Sequence, residues 1–258
     1  MKILGSDFDG TLNHGGIDEG KLAAIRKWRE AGNLIGVISG RGVEFRGILS
    51  KRFPELELDF LAVCNGGYVM NWHGAVIYEK RCGDVPFFEL ASDLMAWGCK
   101  VVHMIGEQYF CVLEREEDRP ERVEESRVRL LKSNPTVPYF YQVSVRRSTT
   151  EKASAVVERV REKYGAWLTP LQNGLSVDIV PNGVNKAEGL YRVMEWFGGA
   201  REDVIAVGDN VNDMDMIREF RSYAMENGVE ELKREADGMV SDVTELIERE
   251  LCSVCEKE

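Results

Sequence analysis

The chain has 258 residues, enough for one large or two modest folded units, and 44% of them are hydrophobic. Lys and Arg number 33 against 44 Asp and Glu, a net charge of -11, which argues against the basic stripe that nucleic-acid binding needs. No apolar run approaches the roughly 20 residues of a membrane span, and the amino end reaches Asp7 too soon for a signal peptide, so a cytoplasmic location is expected.

In chain order, Ile3-Leu4-Gly5 is a short apolar run that delivers two carboxylates, Asp7 and Asp9, into a turn at Gly10. On its own, Asp-x-Asp-Gly is equally the composition of a plain turn. Asp18 can cap a helix in which Leu22, Ile25 and Trp28 recur at helical spacing and which Gly32 stops. The all-apolar run 34–38 fits a parallel strand covered on both faces, completing a βαβ unit. A less regular helix at 43–52, a strand at 60–63, a hairpin signal at Asn65-Gly66 and two further short strands come next, at 68–70 and 75–78.

Between residues 79 and 182 the grammar changes, because apolar runs at 101–105, 109–113, 139–145 and 175–180 are separated by only two or three helices. This is an α+β pattern. Ser148-x-x-Glu151 reads as a capping box opening a helix that ends near Tyr164-Gly165, and the mixed-charge run 114–125 as a solvated loop and helix start. The alternating pattern resumes with a helix from Asn185 to Trp196, a strand at 204–207, a helix after Asn212, a short strand at 223–225 and helices to the end. The expected architecture is an α/β core with a doubly wound, mostly parallel (Rossmann-like) sheet, residues 1–79 and 183–258, interrupted by an α+β unit, residues 80–182.

Six cysteines would allow three disulfides, but a chain of this length needs no staples. Cys64, Cys82, Cys99 and Cys111 lie in apolar surroundings and read as small buried hydrophobes. Cys252 and Cys255 have redox or metal-ligand spacing without a second pair, and His14, His73 and His103 are remote in sequence.

Four polar clusters punctuate the core: Asp7-Phe8-Asp9-Gly10-Thr11-Leu12, Val37-Ile38-Ser39-Gly40-Arg41, Gly183-Val184-Asn185-Lys186 and Gly208-Asp209-Asn210-Val211-Asn212-Asp213. Each ends or opens a predicted element, where open α/β sheets bind their ligands. In this order they resemble the four motifs of the haloacid dehalogenase-like phosphohydrolases, and the tail 223–233 resembles the Cof-type branch. The resemblance spans nearly the whole chain. It implies the same fold, with the insert as a type-two α+β cap between the second and third motifs.

A phosphate monoester repels nucleophiles and has a poor alkoxide leaving group. A carboxylate such as Asp7 can attack phosphorus in line and split one difficult step into two, while Asp9 is spaced to protonate the leaving oxygen and later deprotonate water. The resemblance implies these same two roles. Grouping Asp7, Asp9, Asp209 and Asp213 would raise their pKa values unless a cation is present, and an all-oxygen set suits Mg²⁺. As ligands the resemblance implies the side chains of Asp7 and Asp209 and the backbone carbonyl of Asp9, with Asp213 acting behind them or through water. It further implies that Lys186 neutralises nucleophile and phosphate while Ser39, the Gly40 backbone and Asn212 donate hydrogen bonds to the transferring group. Where Cof-type tails read Ala-Met-Gly-Asn this chain has Ala224-Met225-Glu226-Asn227, so Glu226 receives no role. Arg41 is equally a substrate contact or a surface residue.

The expected activity is Mg²⁺-dependent hydrolysis of a small phosphorylated metabolite, such as a sugar phosphate or phosphoglycolate, through an aspartyl-phosphate. A monomer and a homodimer are both compatible with the sequence. The inserted unit is expected to select the substrate and exclude water, with Tyr109, Tyr139, Tyr141, Arg146 and Arg147 as candidate contacts, although packing accounts for most residues of these types. A phosphomutase and a non-enzymatic receiver-like phospho-acceptor are the alternatives; a receiver has no call for the long insert between Ser39 and Lys186 or for a second Asp beside the acceptor. Gly40-Arg41-Gly42 lacks the third glycine of a dinucleotide fingerprint, since Phe45 stands there, and neither a phosphate-binding P-loop nor a calcium loop fits.

Overall fold

A computed structural model describes residues 1–106, 108–121 and 123–255, with the backbone alone for 253–255. The chain divides into two compact units, Met1–Tyr78 with Asn185–Glu258, and Glu79–Val184. In the first, β1 (Ile3–Ser6) leads through α1 (Glu19–Glu30) to β2 (Leu34–Ile38) and through α2 (Phe45–Arg52) to β3 (Phe60–Val63), β4 (Tyr68–Asn71) and β5 (Val76–Glu79). The second unit comprises α3 (Phe87–Ala96), β6 (Val101–Ile105), β7 (Tyr109–Leu113), β8 (Val128–Leu130), β9 (Gln142–Arg146), α4 (Thr150–Tyr164), β10 (Leu168–Asn173) and β11 (Ser176–Pro181). The chain then returns to the first unit with α5 (Lys186–Phe197), β12 (Val204–Gly208), α6 (Met214–Glu219), β13 (Arg221–Met225), α7 (Glu230–Glu235), β14 (Gly238–Val240) and α8 (Val243–Cys255).

The sheet of the first unit has eight strands in the order β14-β13-β12-β1-β2-β3-β4-β5. β1 pairs in parallel with both β12 and β2, so the strand order reverses at β1. Parallel pairing continues from β2 to β3 and from β12 through β13 to β14, whereas β3 and β4 form an antiparallel hairpin. Right-handed crossovers on either side of the reversal send the helices to opposite faces: α1 packs with α8, and α6 packs with α5 and α7. Cover on both faces is why β1, β2 and β12 are apolar along their length. Ile3, Ile38, Phe60, Leu190, Val193 and Ile217 fill the layer beneath α5 and α6. On α1, Asp18 accepts the Lys21 N–H at 2.9 Å as the cap, and Leu22, Ile25 and Trp28 point inward.

The second unit has a six-stranded sheet, β10-β11-β9-β6-β7-β8, antiparallel except where β8 joins β7. Period-two alternation turns Val102, Met104, Val143 and Val145 toward Leu90 and Leu94 of α3 and Val156 and Val160 of α4. Together the two units match the α/β architecture with an α+β insert that the sequence pattern implies.

Several local expectations are corrected. α4 is capped by Thr149, which accepts the Lys152 N–H at 3.3 Å, while Ser148 Oγ instead accepts from the Lys152 ammonium at 3.2 Å. The run 114–125 opens no α-helix among the described residues, only single 3-10 turns. Arg115 pairs with Glu117 and Asp118, so the charges close short turns at Glu116–Asp118 and Glu125–Arg127 that lead into β8; Arg122 lies outside the described residues. The sequence pattern marks none of β8, β10 and β14: the three-residue strands β8 and β14 carry too little alternation to read, and Pro170 interrupts the strand signal of edge strand β10. Cys64, Cys82, Cys99 and Cys111 are buried and joined in no disulfide, and Cys252 is exposed, while the Cys255 side chain lies outside the described residues. Among the described residues no helix is long and apolar enough to cross a membrane.

Candidate active site

Asp7 comes directly after β1, and its N–H donates to the Val207 carbonyl at 2.9 Å, extending the ladder one residue past the strand. The chain then makes a wide turn in which Leu12 N–H reaches Asp7 O at 3.1 Å and Asn13 N–H reaches Phe8 O at 2.9 Å. Gly10 takes φ +85°, and a Cβ there would lie 2.5 Å from Asp209 Oδ2, so only glycine lets this turn and that carboxylate coexist.

Lys186 opens α5, whose cap Asn185 accepts the Glu188 N–H at 2.8 Å. The Lys186 side chain is 1% exposed, and its ammonium donates to Asp7 Oδ1 at 2.6 Å and Asp213 Oδ1 at 2.5 Å. Asp213 Oδ2 accepts the N–H groups of Asp209 and Asn210, both at 3.0 Å, in a turn that closes over Gly208, where a Cβ would stand 2.5 Å from Asp213 Cγ. Thr11 Oγ1 donates to Asp209 Oδ1 at 2.9 Å and so fixes the third carboxylate. One oxygen each of Asp7, Asp209 and Asp213 lies within 4.8 Å of the others.

Three carboxylates share one ammonium in this buried space, so two negative charges are left over when all are ionised. Burial pushes the Asp7 carboxyl up to about 8, with Asp213 and Asp209 adding repulsion and Lys186 opposing them. Burial likewise raises Asp209, with Asp213 adding to it. For Lys186, burial favours the neutral amine, but the Asp213 and Asp7 carboxylates outweigh it and hold the ammonium above its usual range. An acceptor-only oxygen set with two negative charges left over fits a hard divalent cation.

Asp9 is placed differently. Its side chain is 56% exposed and gripped in a fork by Arg41, whose Nε and Nη2 donate to Oδ2 and Oδ1, both at 2.7 Å. The Arg41 guanidinium lies over the Phe45 ring at 4.7 Å and the Phe8 ring at 5.6 Å. The structure therefore gathers three of the four acidic side chains, because a bidentate cation satisfies Asp9 better than proximity to like charges. Ser39 is buried at the end of β2, its Oγ accepting the Arg41 N–H at 3.2 Å. Gly40 lies between Ser39 and Arg41, and half-buried Asn212 sits in the turn that presents Asp213. The Arg41–Asp9 fork, the Thr11–Asp209 bond and the bond from Asn227 Nδ2 to Gly10 O at 3.0 Å were not anticipated. The one sequence signal for Asn227 was its place in the tail motif.

In the second unit the candidate contacts are engaged locally. Tyr109 Oη lies 2.8 Å from His103 Nδ1, Tyr141 donates to Glu79 at 2.6 Å, and Arg81 stacks on Tyr139 at 4.2 Å. Arg146 reaches Ser176 Oγ at 3.3 Å, and Arg147 donates to the Gly98 carbonyl.

A doubly wound sheet that sets a lysine-bridged group of carboxylates at its strand-order reversal defines an α/β protein with its candidate ligand site at the switch point. The chain belongs to the haloacid dehalogenase-like hydrolase family, whose family model matches residues 4–245. It is 26% identical over 259 residues to the stress response protein YhaX of Bacillus subtilis, covering 92% of this chain and 86% of that one. To the 5-amino-6-(5-phospho-D-ribitylamino)uracil phosphatase YbjI of Escherichia coli it is 24% identical over 242 residues, 88% of this chain and 86% of the relative. The crystal structure of a haloacid dehalogenase-like hydrolase from Bacteroides thetaiotaomicron shares the fold with a TM-score of 0.75 at 23% identity, over 96% of this chain and 98% of that one.

Proposed function

We propose that this protein is a Mg²⁺-dependent phosphatase that hydrolyses the monoester of a small phosphorylated metabolite, a sugar phosphate, phosphoglycolate or similar, through an aspartyl-phosphate on Asp7. The observation that carries the reading is the buried chain Asp7–Lys186–Asp213 beside Asp209, a carboxylate and an ammonium in contact, which is what in-line attack and offset of phosphate charge require. A relative named as a phosphatase of a small phosphate ester supports the class.

In this reading the anionic substrate takes the Arg41 guanidinium from Asp9, which then carries a proton from solvent; the Asp7 carboxylate attacks phosphorus as the bond to the leaving oxygen breaks, and Asp9 gives that oxygen its proton. Asp9 then takes a proton from the water that cleaves the aspartyl-phosphate, releasing inorganic phosphate and regenerating Asp7. Lys186 orients Asp7 and offsets the phosphate charge, and Ser39, the Gly40 N–H and Asn212 donate to the phosphoryl oxygens. The side chains of Asp7 and Asp209 and the Asp9 carbonyl would hold Mg²⁺, with Asp213 bracing Asp209 from behind. When bound, that ion neutralises phosphate charge and polarises the phosphoryl group. The unit Glu79–Val184 acts as the cap that selects the leaving group.

Phosphate release across a panel of sugar phosphates, phosphoglycolate and related esters, with and without MgCl₂, tests the proposal. Mg²⁺-dependent release over many turnovers from at least one ester is expected, and none from Asp7→Asn. A single stoichiometric phosphorylation without turnover would instead favour the phospho-acceptor reading and overturn this one.

A further inference from the structure

Lys21 is a buried lysine, 3% exposed, in the first turn of α1. Its ammonium donates to the carbonyl oxygens of Leu12 and His14 at 2.9 Å and of Gly16 at 3.0 Å, and pairs with Asp242 Oδ2 at 2.9 Å. An ammonium has three hydrogens, so a shell of four oxygens is fuller than lysine alone requires. The three carbonyls come from alternate residues of one loop, and turning them to a common point uses left-handed backbone at Gly15 (φ +68°) and Gly16 (φ +96°). A Cβ at either glycine would meet nothing within 4 Å, so it is conformation and not space that calls for glycine there.

This shell is bonded directly to the turn that carries Asp7. Leu12, whose carbonyl receives the ammonium, gives its own N–H to the Asp7 carbonyl. A cavity of about 480 Å³, lined by His14, Asp18, Lys21, Asp242, Glu245 and Glu248 among others, adjoins the shell, and its carboxylates favour cations. Potassium and ammonium ions resemble the lysine head group in charge and size and accept all-oxygen surroundings.

We infer that Lys21 is a tethered cation that positions the Asp7–Leu12 turn, and that the oxygen cage around its head group is a latent monovalent-cation site. Lys21 touches no reacting atom; it is a positioning residue acting through Leu12. The inference rests on the phosphatase reading for its effect on turnover, but not for the cage itself.

The test compares Lys21→Ala and Lys21→Met with wild type, with MgCl₂ held constant and potassium, ammonium or tetramethylammonium chloride at equal ionic strength. Turnover is read with p-nitrophenyl phosphate and stability by thermal melting. In tetramethylammonium, kcat of both variants is expected to fall about 10- to 10²-fold with little change in KM, as small misplacements of a reacting group cost that much. Potassium and ammonium should restore kcat and raise the melting temperature of Lys21→Ala saturably, and leave wild type and Lys21→Met unmoved, since the methionine chain blocks the cage. A folded Lys21→Met with wild-type kcat would reduce Lys21 to a stabilising residue and overturn the positioning role. A Lys21→Ala protein that melts alike in all three salts, or is unfolded in all three, would overturn the cage. Wild type inert toward every ester would sink the phosphatase reading, and the salt-selective melting of Lys21→Ala would still decide the cage.

Discussion

At the scale of single residues, the charges of the site converge on Asp7. Burial pushes its carboxyl up to about 8, against 3.8 in the unfolded chain. The folded state binds the extra proton between those values, so Asp7's contribution to stability is complete below 3.8 and is lost as pH rises through about 8. A divalent cation bound by Asp7 would displace that proton. Titration calorimetry with Mg²⁺ at neutral pH, in buffers of different ionisation enthalpy, should show release approaching one proton per ion and none well above pH 8; heats independent of buffer would remove Asp7 from the cation shell. Asparagine matches aspartate in size and its Oδ1 can still accept from the Lys186 ammonium, so Asp7→Asn changes little in the resting fold. It should therefore keep the wild-type melting temperature within a few degrees while losing turnover; activity near wild type would refute the nucleophile. Asp9→Asn should depress kcat on alkyl phosphates by about 10²- to 10⁴-fold and far less on p-nitrophenyl phosphate, whose leaving group needs no proton, and equal losses would refute the acid role.

At the scale of elements, three strand ends and one helix start bring these residues together. β1 and β12 are adjacent and parallel, so the turns at their carboxyl ends emerge side by side, and α5 delivers Lys186 from its first position. Asn185 is what fixes that position. Asn185→Ala should cost about 0.5–2 kcal/mol and reduce kcat as well, whereas a loss of stability with unchanged kcat would show that Lys186 does not depend on the cap. Long periodic elements were legible in the sequence: α1, β2, α5 and β12 repeat apolar residues over enough positions to declare their type. Short ones were not. β8 and β14 are defined by pairing to a neighbour, and the choice of Thr149 over Ser148 as the α4 cap turns on a backbone angle that either residue could take.

At the scale of the whole molecule, a chain of net charge -11 gathers two buried carboxylates and one half-buried one beside a single lysine, and the folded state alone assembles them. A cation that binds only that state stabilises it by mass action, about 2.7 kcal/mol at a hundred times its dissociation constant. MgCl₂ in the millimolar range should therefore raise the melting temperature of wild type and not of Asp209→Asn, with EDTA reversing the shift; equal shifts in both would place the ion elsewhere.

By itself the sequence determined the alternation of elements, the interruption of one unit by another, and the identity of the motif residues, because these depend on local periodicity and on which side chains can do which chemistry. Only the tertiary structure decided that Asp9 turns to Arg41 while Asp7 and Asp213 close on Lys186 with Asp209 beside them, and that Lys21 meets three carbonyls behind the turn. Partners separated by 32, 198 or 179 positions are chosen by where strands emerge from a sheet and which charge lies nearest once water is excluded, and no local pattern encodes either.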